Sequence, residues 1–341
     1  MKVSILIMNA CDIGGIERST FSLMNALRKN NICVEMVSLF ENETIGLGVN
    51  EEYVIPKGRN EFLKILNYVR SVSEDTTIIS TYDRLSIFVI AASFLLRKRV
   101  DLVAQQHADY FALKWWTRTA RRIMYNLGNV KIVCLTRKDY SFYKKWHDSV
   151  YQVPNILDLS HKIYNEVPSL ASRHIDLLAA GRLHPVKRFE DFIGLVEFIH
   201  KERDITAKLY GSGDDLNRLQ RCCNSSLDIF AGATDELMKK MYDAKIVVVT
   251  SHRESFSMVI LEAMSAGCVV VSYDCPTGPS ELITNGVDGF LVENGNTSKL
   301  KETCMLLLEN IALCETISIN AQKTARKYSP DIIAKQWSMI I

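Results

Sequence analysis

Along the chain, short runs of β-branched and aliphatic residues alternate with longer stretches whose apolar residues return every three or four positions. "VSILIMNA" (3–10), "CVEMVSLF" (33–40), "TTIIST" (76–81), "DLVAQQ" (101–106) and "VKIVCLT" (130–136) read as strands buried on both faces. Between them, residues 17–29 place Phe21, Met24 and Leu27 on one side of a helix, and 87–96 and 115–127 are also helix-compatible. This alternation predicts a parallel sheet covered by helices. It pauses over residues 152–173, a polar stretch holding two of the seven prolines. A second series follows: "IDLLAAG" (175–181), "ITAKLYG" (205–211), "LDIFAG" (227–232), "KIVVVTS" (245–251) and "CVVVSYD" (268–274). Helical stretches at 297–310 and 313–327 precede an aromatic tail. The expected architecture is α/β, with two doubly wound, Rossmann-like domains at 1–157 and 175–325. A linker at 158–174 joins them, and a tail from about 326 to 341 packs back on the first domain.

The length of 341 residues suits two cores better than one. A hydrophobic share of 48% and a charged share of 23% are those of an ordinary globular protein. The net charge of +2 makes no case for a nucleic-acid partner. The longest apolar run, "LSIFVIAASFLL" (85–96), is too short to span a bilayer. The first residues read as a strand and not as a signal peptide. The nine cysteines form no CxxC pair, and Cys33, Cys134 and Cys268 sit in apolar runs. Reduced, buried thiols in a cytoplasmic protein are expected, without a disulfide framework or a structural zinc.

Residues with chemical potential gather at strand C-termini, where open α/β sheets bind ligands. Gly14 and Gly15 lie between the first strand and the first helix, a place for backbone amides to meet a phosphate. The dinucleotide fingerprint GxGxxG is absent. Gly181, Arg182 and Lys187 repeat the arrangement in the second half, where two cations near a helix start call for an anion or for solvent. "YGSGDD" (210–215) adds a glycine turn with Asp214 as the expected helix cap, and His107 ends a strand in the first half. "YDCPTGPSELI" (273–283) is a strand end followed by a rigid loop, which reads as placing Glu281 or backbone amides and equally as pure architecture. Glu254 and Glu262 bracket "SFSMVIL" after a buried strand. On their own they read equally as a carboxylate favoured at a helix N-terminus and a solvent-facing one.

In order and spacing, "ESFSMVILEAMSAGCVVVSYDCPTGPSELITNGVDGFLV" (254–292), "GRL…VKR" and "GGIER" together resemble the retaining family-4 glycosyltransferases of the GT-B fold. The E-x7-E spacing of Glu254 and Glu262 is that family's signature. The resemblance implies two domains facing a central cleft. It implies that Glu262 binds the ribose and Glu254 the transferred sugar. Arg182 and Lys187 would neutralise the diphosphate, Gly14 and Gly15 supply amide contacts, and His107 touch the donor sugar. Phe256 and Ser257 complete the donor site, although "SFS" stands where many members carry Phe-Gly. A helix beginning near Ser257 suggests carboxylates about 12 Å apart along its axis.

The implied reaction moves a sugar, with a UDP-sugar favoured over GDP-mannose, to a glycan or lipid-linked hydroxyl in surface polysaccharide synthesis. No metal and no cofactor is implied. A sugar-nucleotide epimerase of the same fold and a non-catalytic sugar-nucleotide binding protein are the alternatives. "FALKWWTRTARRIMYN" (111–126) reads in two ways. Lys114, Arg118, Arg121 and Arg122 form one basic side against an anionic membrane, at the inner face. Otherwise Trp115, Trp116 and Ile123 pack the helix and its basic face is solvated.

Overall fold

The computed structural model describes residues 2–11, 14–40, 53–158 and 167–341. The chain divides into two units, Met1–Asp158 with Ser329–Ile341, and Leu159–Tyr328. Residues 159–166 of the expected linker lie outside the described residues.

The first unit runs β1 (Lys2–Asn9), α1 (Gly15–Lys29), β2 (Cys33–Phe40), β3 (Tyr53–Val54), α2 (Glu61–Ser71), β4 (Thr76–Ser80) and α3 (Asp83–Leu96). It continues with β5 (Asp101–Gln106), α4 (Trp115–Gly128), β6 (Lys131–Cys134), α5 (Arg137–Lys144) and β7 (Val150–Gln152). Its sheet has the order β3-β2-β1-β4-β5-β6-β7, and every pairing is parallel. Val3, Ile5, Leu6 and Ile7 are fully buried, as a strand covered on both faces requires. Leu6 meets one helical layer and its neighbours Ile5 and Ile7 the other.

Helix α4 begins at Trp115, where the pattern over 115–127 expects it, and a turn anchored on Asp109 holds the preceding residues. Its faces depart from expectation. The buried Arg121 points inward, with Nη1 donating to Asp83 Oδ2 at 3.0 Å and to Gln106 Oε1 at 3.3 Å. Tyr125 donates to Asp83 Oδ1 at 2.7 Å. The single basic side of four residues is therefore incorrect: Arg121 belongs to the core. Trp115, Trp116 and Ile123 do not pack the helix either; all three are exposed.

The second unit runs β8 (Ile175–Ala180), α6 (Phe189–His200), β9 (Ala207–Tyr210), α7 (Leu216–Cys222), β10 (Phe230–Gly232), α8 (Leu237–Tyr242), β11 (Ala244–Val249) and α9 (Met258–Ser265). Then come β12 (Val269–Asp274), α10 (Pro279–Leu282), β13 (Phe290–Glu293), α11 (Thr297–Glu309) and α12 (Ile311–Ala325). The sheet order is β10-β9-β8-β11-β12-β13, again parallel. Asp215, not Asp214, precedes α7, and its carboxylate binds Arg218 instead of capping the helix. Cys33 is exposed, whereas Cys134 and Cys268 are buried as expected; all nine thiols are free. The last helix, α13 (Pro330–Trp337), returns to the first unit and packs on α1. There Ile333, Ala334 and Trp337 join Leu23, Met24 and Leu27 in one cluster.

Candidate functional site

In the second unit the strand order reverses between the neighbours β8 and β11, because the chain winds outward through β9 and β10 before returning. Such a switch point parts the two following loops and leaves a crevice at the strand C-termini. Both loops carry chemistry. After β8 come Gly181, Arg182, Leu183 and a 3-10 turn over Pro185–Lys187. After β11 come Thr250, Ser251, His252 and Glu254.

The loops are tied together. Thr250 Oγ1 donates to the Lys187 carbonyl at 2.8 Å, and the His252 amide donates to that of Val186 at 2.8 Å. Lys187 Nζ then reaches Glu254 Oε1 at 2.6 Å, and Ser251 Oγ donates to the same oxygen at 2.7 Å. No described residue bonds Oε2, which leaves it for a ligand hydroxyl. The Lys187 and Glu254 side chains are 23% and 11% exposed, so the pair is half-buried and much less screened than a surface pair. Glu254 is also held through its backbone, its amide donating to Pro276 and its carbonyl accepting from Thr277 and Gly278. A Cβ at Gly278 would come within 2.7 Å of the Phe256 backbone, so this contact requires glycine.

Beyond β9, Gly211 and Gly213 have φ of +152°, and a Cβ on either would strike the carbonyls of Gly181 or Leu183. Glycine is thus what allows this loop to brace the Arg182 loop. Arg182 itself is exposed and makes no ion pair or hydrogen bond among the described residues. An uncommitted cation beside a fixed Lys–Glu pair suits a phosphate.

The two glutamates do not share a helix. Glu254 forms an isolated bridge with Thr277, and α9 starts only at Met258. Helical rise therefore does not set their separation, and the premise of the 12 Å expectation, a shared helix, is absent. Glu262 is half-buried on α9. Phe256 is turned inward: the residue is buried, its ring edge-on to Tyr328 at 5.8 Å. Ser257 adopts the left-handed conformation at φ +69°, where a glycine is ordinarily favoured. Its hydroxyl is buried, without a partner, at the N-terminus of α9.

In the first unit, Gly14 precedes α1 and Gly15 opens it. A Cβ on Gly14 would run into the Glu17 carboxylate, which is buried and accepts from Tyr82 Oη at 3.2 Å. An anion at Gly14 would meet this negative charge; Gly15 faces open space. Sequence reasoning missed Glu17, whose only signal is a carboxylate in the first helical turn. His107, just past β5, is 8% exposed with Nε2 buried and unpartnered. Burial lowers its pKa to about 4. The unfolded chain takes up this proton below about pH 6.5. The stabilising effect of a neutral His107 is therefore complete above that value and lost as pH falls to about 4, by about 3 kcal/mol. Urea unfolding at pH 7 and pH 4 should show a smaller acid loss in His107→Gln than in the wild type. Equal losses would refute this assignment.

Among the described residues, no group of three or more His, Cys, Asp or Glu is placed to hold a metal. Residues 174–310 match the family described as glycosyl transferases group 1. The amylovoran biosynthesis glycosyltransferase AmsD of Erwinia amylovora is 23% identical over the whole chain and 99% of its own length. An N,N'-diacetylbacillosaminyl-diphospho-undecaprenol alpha-1,3-N-acetylgalactosaminyltransferase of Campylobacter jejuni is 32% identical over 33% of this chain and 30% of its own. Among solved structures, Anabaena HepE in complex with UDP superposes with a TM-score of 0.80 at 19% identity, covering 99% of both chains. The chain is thus a glycosyltransferase of the GT-B fold, with residues 174–310 similar to the glycosyl transferases of group 1.

Proposed function

We propose that this enzyme moves a sugar from a nucleoside-diphosphate sugar, a UDP-sugar first, to a hydroxyl of a glycan or lipid-linked glycan during polysaccharide synthesis. The anomeric configuration is retained. The carrying observation is the fixed Lys187–Glu254 pair beside the uncommitted Arg182 at the switch point. As the glycosidic bond breaks, negative charge gathers on the departing diphosphate and positive charge on the sugar ring. Arg182 and the remaining N–H bonds of Lys187 meet the first, and Lys187, held by Glu254 before the reaction, needs little reorganisation to do so. Glu254 Oε2 takes a sugar hydroxyl and Glu262 the ribose. The UDP complex of HepE and the undecaprenol-linked acceptor named for the Campylobacter enzyme support this donor and acceptor class.

Purified enzyme should release free nucleoside diphosphate from a UDP-sugar in an acceptor-dependent way, with the α-anomeric signal kept in the product. Excess EDTA should leave the rate unchanged, since side-chain cations offset the diphosphate charge. An inverted product would refute retention. Complete loss with EDTA, restored by magnesium or manganese, would refute the charge assignment.

A further inference from the structure

The face that α4 turns away from the protein is built unlike a solvated helix surface. Its two buried residues, Arg121 and Tyr125, fasten it to the interior. Trp115, Trp116, Ile123 and Leu127 are 67%, 50%, 55% and 62% exposed. Trp116, Ala120, Ile123 and Leu127 follow one another at helical spacing, so the apolar residues make a continuous stripe. Isolated exposed apolar residues need no explanation, but a contiguous patch marks an interaction surface. The exposed Phe111 flanks the N-terminal end. At the other end Gly128 lies against Ile90 of α3, whose next turn exposes Phe94 and Leu95.

The rim of this stripe carries one sign of charge. From Tyr110 to Lys138 the chain contains no Asp or Glu. The Lys114 ammonium sits over the Trp116 ring at 5.0 Å, the Arg118 guanidinium over Phe111 at 5.0 Å, and that of Arg122 over Trp146 at 5.9 Å. Arg97 and Arg99 follow the exposed end of α3. A second copy of the chain would set this basic rim against itself, so charge disfavours self-association. A surface of negative headgroups over hydrocarbon matches both the rim and the stripe. Tryptophan is suited to that boundary, having an apolar ring and one N–H donor. Among the described residues no single helix is long and apolar enough to cross a membrane.

We propose that the outer face of α4, with Trp115, Trp116, Ile123 and Leu127 as the inserted stripe and Lys114, Arg118 and Arg122 as its basic rim, docks the enzyme on an anionic lipid bilayer. The helix lies along the surface. Arg121 takes no part, being committed to Asp83. The proposal is independent of which sugar is transferred.

Sedimentation with phosphatidylglycerol-containing vesicles tests it without any activity measurement. Wild-type protein should sediment with them at low salt, be released by high salt, and ignore pure phosphatidylcholine vesicles. Each basic side chain near an anionic leaflet is worth roughly five-fold in partitioning. Lys114→Glu with Arg118→Glu and Arg122→Glu should therefore lower binding about 100-fold or more. Trp115→Ser with Trp116→Ser should weaken it independently, and wild-type tryptophan emission should shift to the blue on binding. All these side chains lie at the surface, and unchanged thermal unfolding checks that the variants are folded. Wild type that ignores anionic vesicles at low salt would overturn the proposal. So would binding that survives both sets of substitutions, or concentration-dependent dimerisation abolished by the tryptophan changes in place of vesicle binding. Diphosphate release measured on a soluble acceptor separates such a failure from failure of the transferase reading.

Discussion

Arg182→Ala should lower kcat/KM by roughly 100-fold or more while leaving the unfolding free energy within about 0.5 kcal/mol of the wild type. The two halves of this expectation have separate causes. Arg182 is exposed and unbonded among the described residues, so folding gains little from it. In the proposed reaction its charge faces the departing diphosphate, and losing one cation there costs about 3 kcal/mol of transition-state stabilisation. Lys187→Ala is less diagnostic, because it also strips the half-buried Glu254 of its partner and mixes stability with rate. Steady-state kinetics with a saturating acceptor, alongside urea unfolding, decide the point. Wild-type kcat/KM in a folded Arg182→Ala enzyme would remove this residue from the mechanism.

The largest stability effect is expected far from that site, at Asp83→Ala. Arg121 is only 2% exposed, and its Nε and Nη2 have no acceptor. The rings of Tyr110 and Tyr143 lie 5.2 Å and 4.9 Å from its guanidinium. Asp83 holds both Arg121 and Tyr125, so its removal leaves a buried cation with one remaining hydrogen bond, to Gln106. Breaking a buried pair from one side costs about 3–5 kcal/mol, a large part of the stability of a typical domain. Replacing both partners, Asp83→Ala with Arg121→Met, should recover much of that loss, because no charge is then stranded. Denaturant unfolding of the two single variants and the double variant gives the coupling. A loss below about 1 kcal/mol in Asp83→Ala would show that water reaches Arg121 and that the helix is not anchored by this pair.

The ten strands read from the hydrophobic pattern are all present, within a few residues at their ends. Strands covered on both faces must be almost wholly apolar, and that is a local property of the sequence. The two- to four-residue strands β3, β7 and β13 were not foreseen, because so few residues carry no period and their pairing is set by neighbours. For the site, the sequence sufficed to mark the loops after β8 and β11, since glycines and charges after buried runs are visible in one dimension. Strand order was not visible. Only the folded sheet sets β8 beside β11 and brings Lys187 within 2.6 Å of Glu254, across 67 residues of chain.

Side-chain direction likewise belonged to the tertiary structure. Phe256 and Arg121 both lie in segments singled out for function, and packing against Tyr328 and Asp83 turned both inward. In α4 the rule that apolar residues face the core is reversed, with Arg121 inside and two tryptophans outside. Periodicity finds the faces of a helix, but which face is buried depends on what stands opposite. Here that is a carboxylate on a neighbouring helix, which the local sequence does not contain.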